Sequence, residues 1–263
     1  MANDIPHPID DIAATFVRAR REGGVVADYP GTMPAGLGEA YAVQDRALAL
    51  DGRRVAGWKV GKIDPPLEGS NRLAGPIFAD QIVAGSDATL AMPVFGDGFA
   101  AAEAEFLLRV GTAPDPAKRR YTMDEALDLL DAVHVGIEIA SSPFPGINDH
   151  GPTVTISDYG NNNGLVIGPA IENWRDAGIE RWPVELLVDG TVIGSATAET
   201  MLDGPFGAAR FLFELLADRG IALRPGDWIS SGAVTGVHRV VVGAQVEVRF
   251  DDRLTTACTI VAR

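Results

Sequence analysis

The sequence predicts an α+β fold built on a rolled or sandwiched sheet. Three observations carry this. The first fifty residues show helical periodicity. After Arg53 short β-rich runs alternate with glycine and proline turns. The two helical stretches that interrupt those runs come at irregular intervals, unlike the strict alternation of a doubly wound parallel sheet. The chain therefore reads as an amino-terminal helical segment, 1–52, packed on a single structural unit, 53–263.

Each element has its own warrant. In "IDDIAATFVRARREGG", Ile9, Ile12, Phe16 and Val17 recur at helical spacing, Asp10 or Asp11 can cap the start, and Gly23-Gly24 stops it. "GLGEAYAVQDRALALDG" reads as a second helix ending at Gly52. The strand candidates are "RVAGWKVG", "AEAEFLLRV", "AVHVGIEIA", "NGLVIG", "VELLVDGTVIGSAT", "DWISSG", "AQVEVRF" and "TTACTIV". Asp189-Gly190 marks a hairpin turn. "TMDEALDLLDAV" reads as a helix opened by Thr122 and Glu125 at capping-box spacing. "PFGAARFLFELLADRG" reads as another, with Pro205 in its first turn and Gly220 as its stop. The stretch from Ser141 to Asn163 is longer than an ordinary connection, which predicts a lid or binding loop.

Composition narrows the function classes. The 263 residues are 46% hydrophobic, enough for a sizeable core. Twenty-two basic against 36 acidic residues give a net charge of −14, which repels phosphate backbones and anionic lipid heads. Nucleic acid and membrane are thus not expected partners. One cysteine, Cys258, excludes an internal disulfide, a four-cysteine zinc site and an iron–sulfur cluster, and its apolar surroundings predict a buried thiol. No apolar run reaches the ~18 residues that span a bilayer, and the amino terminus carries acids where a secretion signal needs basic residues. A soluble cytoplasmic protein is expected.

The unusual feature is charge inside apolar strands. Glu103 and Glu105, two apart in "AAAEAEFLLRVG", point to one side of a strand, with Ala104, Phe106 and Leu108 on the other. Either this is the solvated face of an edge strand, or something compensates two like charges. Glu138, between Ile137 and Ile139 in "VHVGIEIASS", repeats the pattern. Three such carboxylates suit a hard divalent cation such as Mg²⁺ or Mn²⁺. Lys59 in "AGWKVG" is either a surface lysine with a buried stem or a proton-transfer group whose pKa a nearby cation would push down. Asp80, ending "GPIFAD", is a turn residue or a general base. His134 shares a strand face with Glu138 and reads as a hydrogen-bonded core histidine with a metal role as the alternative. His150 and His238 read as loop and surface residues, and Asn161 to Asn163 as turn chemistry. No nucleophile elbow, P-loop or dinucleotide fingerprint is present.

Taken in order, "GWKVG", "GPIFAD", "EAEFLLRV", "GIEIASS", "SDYGNNNGLVIG" and "LRPGDWISSGAVTG" resemble the 2-oxopent-4-enoate (2-hydroxypentadienoate) hydratases and the related 4-oxalocrotonate decarboxylases. Both lie in the fumarylacetoacetate hydrolase superfamily, and the resemblance covers nearly the whole chain. It implies a mixed β-roll, an Mg²⁺ or Mn²⁺ ion on Glu103, Glu105 and Glu138, and proton transfer by Lys59 and Asp80. It also implies substrate contacts from Asp158, Ser231 and Gly232, and a homo-oligomer that could join a pathway decarboxylase. Tyr159 departs from the asparagine expected after Asp158. The implied reaction adds water to a 2-hydroxy-2,4-dienoate in aromatic-compound catabolism. The alternatives are decarboxylation of a 2-oxo acid, then acylpyruvate hydrolysis, which needs a His–Glu pair for which only His7 is at hand. A metal-stabilised subunit without activity is the non-enzymatic alternative.

Overall fold

The amino-terminal apolar spacing gives a helix, α1 (Pro8–Glu22), in a computed structural model that describes residues 8–85 and 90–263. Ile12, Ala13, Phe16 and Val17 are buried along one stripe of it. A second helix, α2 (Leu37–Asp51), ends where Gly52 turns left-handed, at φ 70°, and returns its N–H to the Leu48 carbonyl.

The chain then enters strands: β1 (Val55–Leu67), β2 (Ser70–Phe78), β3 (Ile82–Ala84), β4 (Ala91–Val94) and β5 (Phe99–Val110). A short helix, α3 (Met123–Leu127), precedes β6 (Leu130–Ser142), and another, α4 (Pro152–Ser157), precedes β7 (Asn162–Ala170). Strands β8 (Val184–Val188) and β9 (Thr191–Ala196) form a hairpin whose Asp189 and Gly190 both have positive φ, as a two-residue primed turn requires. Helix α5 (Gly204–Asp218) leads to β10 (Trp228–Ser230), β11 (His238–Arg239), β12 (Gln245–Phe250) and β13 (Leu254–Ala262).

Two mixed sheets result. The larger runs β2-β1-β10-β5-β6-β7-β3, with β11 added on β5; β1 and β10 are parallel, as are β3 and β7. The smaller runs β4-β13-β12-β8-β9. The large sheet curls until β2 meets the turn after α4: a Cβ on Gly75 would lie 2.0 Å from the Tyr159 carbonyl oxygen. The fold is the expected α+β roll.

One face of the large sheet packs on the smaller sheet and α5. Phe106 and Phe250, from the two sheets, meet edge to face at 5.0 Å, and Leu212, Phe213 and Leu216 of α5 join them. Cys258 is buried in this core, and burial pushes its thiol up to about 12. On the opposite face, Phe99 and Ala101 of β5 and Ala140 of β6 sit under α1 and α2. Further along that face of β5 come Glu103, Glu105 and Leu107.

Three expectations need correction. The "TMDEALDLLDAV" helix stops at Leu127, and Leu130 onward pairs with β5, because burying Leu130 and Val133 in the sheet core outweighs a helical spacing. The stretch from Ser141 to Asn163 is no open loop. It begins as strand, contains α4, and buries Phe144, Ile147, Val154 and Tyr159 against α1 and α2. The edge-strand reading of Glu103 and Glu105 fails too, since β5 is central and buried from Phe99 to Leu108. Among the described residues no helix is long and apolar enough to cross a membrane.

Candidate metal centre

Strand alternation builds this site. Antiparallel pairing sets Glu103 directly opposite Glu138, and Glu105 opposite Gly136, so three carboxylates share one face of two adjacent strands. An oxygen from each lies within 4.8 Å of the others. Glu103 is 5% exposed, and Glu105 and Glu138 are fully buried.

Lys59 reaches the cluster from β1, its Nζ 3.3 Å from Glu138 Oε2. Ser230 Oγ and the Gly232 N–H both donate to Glu105 Oε2, the latter at 2.9 Å. Asn162 Nδ2 donates to Glu138 Oε1 at 2.9 Å.

The electrostatics are unbalanced. Three carboxylates against one ammonium leave a formal charge of −2 in a buried volume. Burial, reinforced by Glu138, pushes the Glu103 carboxyl up to about 7 despite Lys59. Burial and the other two glutamates hold Glu105 well above the ordinary carboxylate range. Burial alone would lower the Lys59 ammonium, but the three carboxylates outweigh it and raise its pKa. The lowering expected for Lys59 is thus not a property of these protein groups alone.

The residues fit a divalent cation. Among the described residues, Glu105 Oε1 meets no hydrogen-bond donor and Glu138 Oε2 meets only the Lys59 ammonium. Buried carboxylate oxygens left in this state demand a cation or a proton. An all-oxygen donor set, in a site whose formal charge with Lys59 is −2, matches a hard divalent ion. Ser231 Oγ and Asn162 Oδ1 are also buried without partners among the described residues, so polar groups remain for a ligand beside it.

Known proteins show what a chain with this geometry is similar to. No protein-family model matches the sequence. The 2-keto-4-pentenoate hydratase 1 of Dechloromonas aromatica (strain RCB) is 24% identical over 219 residues, 81% of each chain. The 2-keto-4-pentenoate hydratase of Burkholderia vietnamiensis (strain G4 / LMG 22486) is 24% identical over 239 residues, 86% of this chain and 87% of its own. Among solved structures, 4-oxalocrotonate decarboxylase from Pseudomonas putida G7, complexed with magnesium and adipate, superposes with a TM-score of 0.77 at 17% identity, over 96% of this chain and 97% of its own. The chain is a relative of the 2-keto-4-pentenoate hydratases, with the fold of 4-oxalocrotonate decarboxylase. The resemblance to these hydratases read from the motifs is supported by the curated matches, and the solved structures share the fold. A more distant likeness is fumarylpyruvate hydrolase from Pseudomonas aeruginosa with Mn²⁺ and pyruvate, at TM-score 0.60 and 18% identity, over 80% of this chain and 91% of its own.

Not every candidate gathers at the carboxylates. Asp80 lies in a 3₁₀ turn (Ala79–Gln81), its side chain 60% exposed and 3.5 Å from Arg53. Asp158 is fully buried, but both its oxygens are taken: Arg20 binds it through two nitrogens, at 2.5 and 2.9 Å, and Ser142 Oγ donates at 2.6 Å. Tyr159 packs its ring edge to face with Phe78 and donates its hydroxyl to Asp51 at 3.0 Å. His134 bonds the Gly168 carbonyl at 2.8 Å and meets Trp228 edge-on; it is hydrogen-bonded as expected but half-buried rather than in the core. His150 stacks on Phe144, and His7 lies outside the described residues.

Sequence reasoning missed Ser230, Asn162 and Arg20. Arg20 had a signal: it extends the apolar series Ile9, Ile12, Phe16, Val17 onto the buried face of α1. The asparagines, read as turn chemistry, are structural donors: Asn163 Nδ2 donates to the Pro93 carbonyl at 2.6 Å, and only Asn161 has the left-handed φ of a turn residue, 66°.

Proposed function

We propose that this protein is a divalent-metal-dependent hydratase that adds water to a 2-hydroxy-2,4-dienoate to give a 4-hydroxy-2-oxo acid. The observation that carries the reading is the buried −2 cluster of Glu103, Glu105 and Glu138 with Lys59 against it. Similarity to two hydratases over more than four-fifths of their lengths supports it.

Glu103, Glu105 and Glu138 would hold the ion, Mg²⁺ or Mn²⁺. When bound, that ion supplies Lewis-acid stabilisation of negative charge on the oxygens of a 2-oxo acid. Ser230 and the Gly232 N–H keep Glu105 oriented, and Asn162 does the same for Glu138. Lys59, an ammonium among carboxylates, holds the proton that the dienol substrate takes at C5 as its enol hydroxyl loses its own, leaving a 2-oxo-3-enoate. Water then adds at C4 and C3 takes a proton. Ser231 Oγ and the backbone at Gly232 face the bound acid. Asp80 takes the proton from that water once the Ala79–Gln81 turn brings it inward from Arg53.

The protein acts in the cytoplasm, in aromatic-compound catabolism, as a homo-oligomer that can associate with a pathway decarboxylase. Decarboxylation of a 2-oxo acid is the second reading, favoured by the close match of fold to a decarboxylase. The deciding experiment offers the protein 2-hydroxypenta-2,4-dienoate and 2-oxohex-3-enedioate, with and without EDTA, and follows products by mass. Addition of 18 mass units (one water), lost with EDTA, is expected. Loss of CO₂ would move the assignment to decarboxylase, and inertness toward both would discard the substrate class.

A further inference from the structure

The turn from Asp158 to Asn162 touches the site at two points. At its end, the Asn162 amide holds Glu138. In its middle, Gly160 approaches so closely that a Cβ there would lie 3.2 Å from Lys59 Cδ and 2.9 Å from the Gly75 Cα. This backbone is not one a chain adopts freely. Tyr159, Gly160 and Asn161 have φ of 57°, 64° and 66°, three left-handed residues in succession. Residues with a Cβ avoid that region, and such strain persists only where surrounding structure imposes it.

Arg20 imposes it. Besides its two bonds to the Asp158 carboxylate, its guanidinium donates to the carbonyls of Asn162 at 3.2 Å and Ser141 at 3.0 Å, and to Asn163 Oδ1 at 3.2 Å. The side chain is 1% exposed, although it comes from a helix outside both sheets. A planar fork of five donors suits a clamp on several acceptors, and a lysine could not replace it.

We propose that Arg20 is a positioning residue: by clamping the 158–162 turn it fixes Asn162 on Glu138 and Gly160 against the stem of Lys59. Helix α1 thereby sets the geometry of a site to which it supplies no reacting group. This rests on the metal-dependent reading above.

A buried ion pair could instead serve stability alone, so the test must separate the two. Full-length wild type, Arg20→Lys, Asn162→Ala and the double variant are compared for Mn²⁺ affinity by electron paramagnetic resonance. Steady-state kinetics with the dienoate and thermal melting complete the set. Arg20→Lys should weaken Mn²⁺ binding by about 10-fold and lower kcat by a similar factor while KM stays nearly constant. The double variant should be little worse than Asn162→Ala, because the two residues act through one contact. A lowered melting temperature with wild-type Mn²⁺ affinity and kcat, or fully additive effects, would overturn the proposal. Should Arg20→Lys not fold, Ser142→Ala, which removes one bond to Asp158, should move the same readouts in the same direction; no movement overturns it. Wild type that neither binds Mn²⁺ nor turns over would sink the metal reading itself, whereas an active wild type with indifferent variants sinks only the role of Arg20.

Discussion

Glu105 and Lys59 sit on one sheet face with opposite duties, and substitution should separate them. Glu105→Gln removes a unit of charge from the cluster and should abolish both Mn²⁺ binding and turnover. Lys59→Ala should keep the metal and reduce turnover by roughly 10² to 10⁴, the range for loss of a proton-transfer group. Isothermal titration with Mn²⁺ checks both; full affinity in the Glu105 variant would refute the ligand assignment. Asp158→Ala strands the Arg20 guanidinium in the interior and should destabilise by about 3–5 kcal/mol, read by urea denaturation. The glutamates were legible because a period of two sets them on one strand face among apolar neighbours, and Glu138 repeats the pattern. Arg20 was obscured by Arg18 and Arg21 beside it, which made a buried cation look like part of a solvated basic end. Asp158 was visible as a residue but not as an ion-pair partner, since that partner lies 138 positions away.

At the scale of elements, local rules succeeded where local chemistry decides. Gly52, the Asp189-Gly190 turn and the Thr122–Glu125 capping box all form as read. Thr122→Ala should remove about 1 kcal/mol of stability. For a chain of this size that is a fall of roughly 2–4 °C in melting temperature, with Mn²⁺ affinity unchanged. Local rules failed at the end of α3, where the leucines fit a helix and a strand alike and pairing with β5 settled the matter. They failed again between Ser141 and Asn163. Polar and small residues there suggested an open loop, but the chain supplies its own short helix and an apolar underside for α1 and α2.

For the molecule as a whole, the helices-then-strands order was enough for the class of fold. The pairing was beyond it: β1 lies beside β10, with Gly57 opposite Trp228, and no periodicity links residues so far apart in sequence. The site is assembled by the same long-range closure, from β1, β5, β6 and the residues after β10. A cation bound there should therefore stabilise the whole fold. Mn²⁺ at 100 times its dissociation constant should add about 2.7 kcal/mol, seen as a rise in melting temperature that EDTA reverses and Glu105→Gln lacks. A rise of equal size in that variant would place the ion elsewhere.

Cys258 has a practical consequence. The chain has a single thiol, and it is buried in the apolar core with its pKa pushed far above neutrality. Ellman's reagent should leave the folded protein untouched and titrate one group per chain on unfolding. The native surface is then a blank background for site-directed labelling. A cysteine placed at the exposed Ala14 of α1 would carry a nitroxide as the sole reporter, and its paramagnetic coupling to bound Mn²⁺ would measure how far the clamp helix stands from the ion in solution.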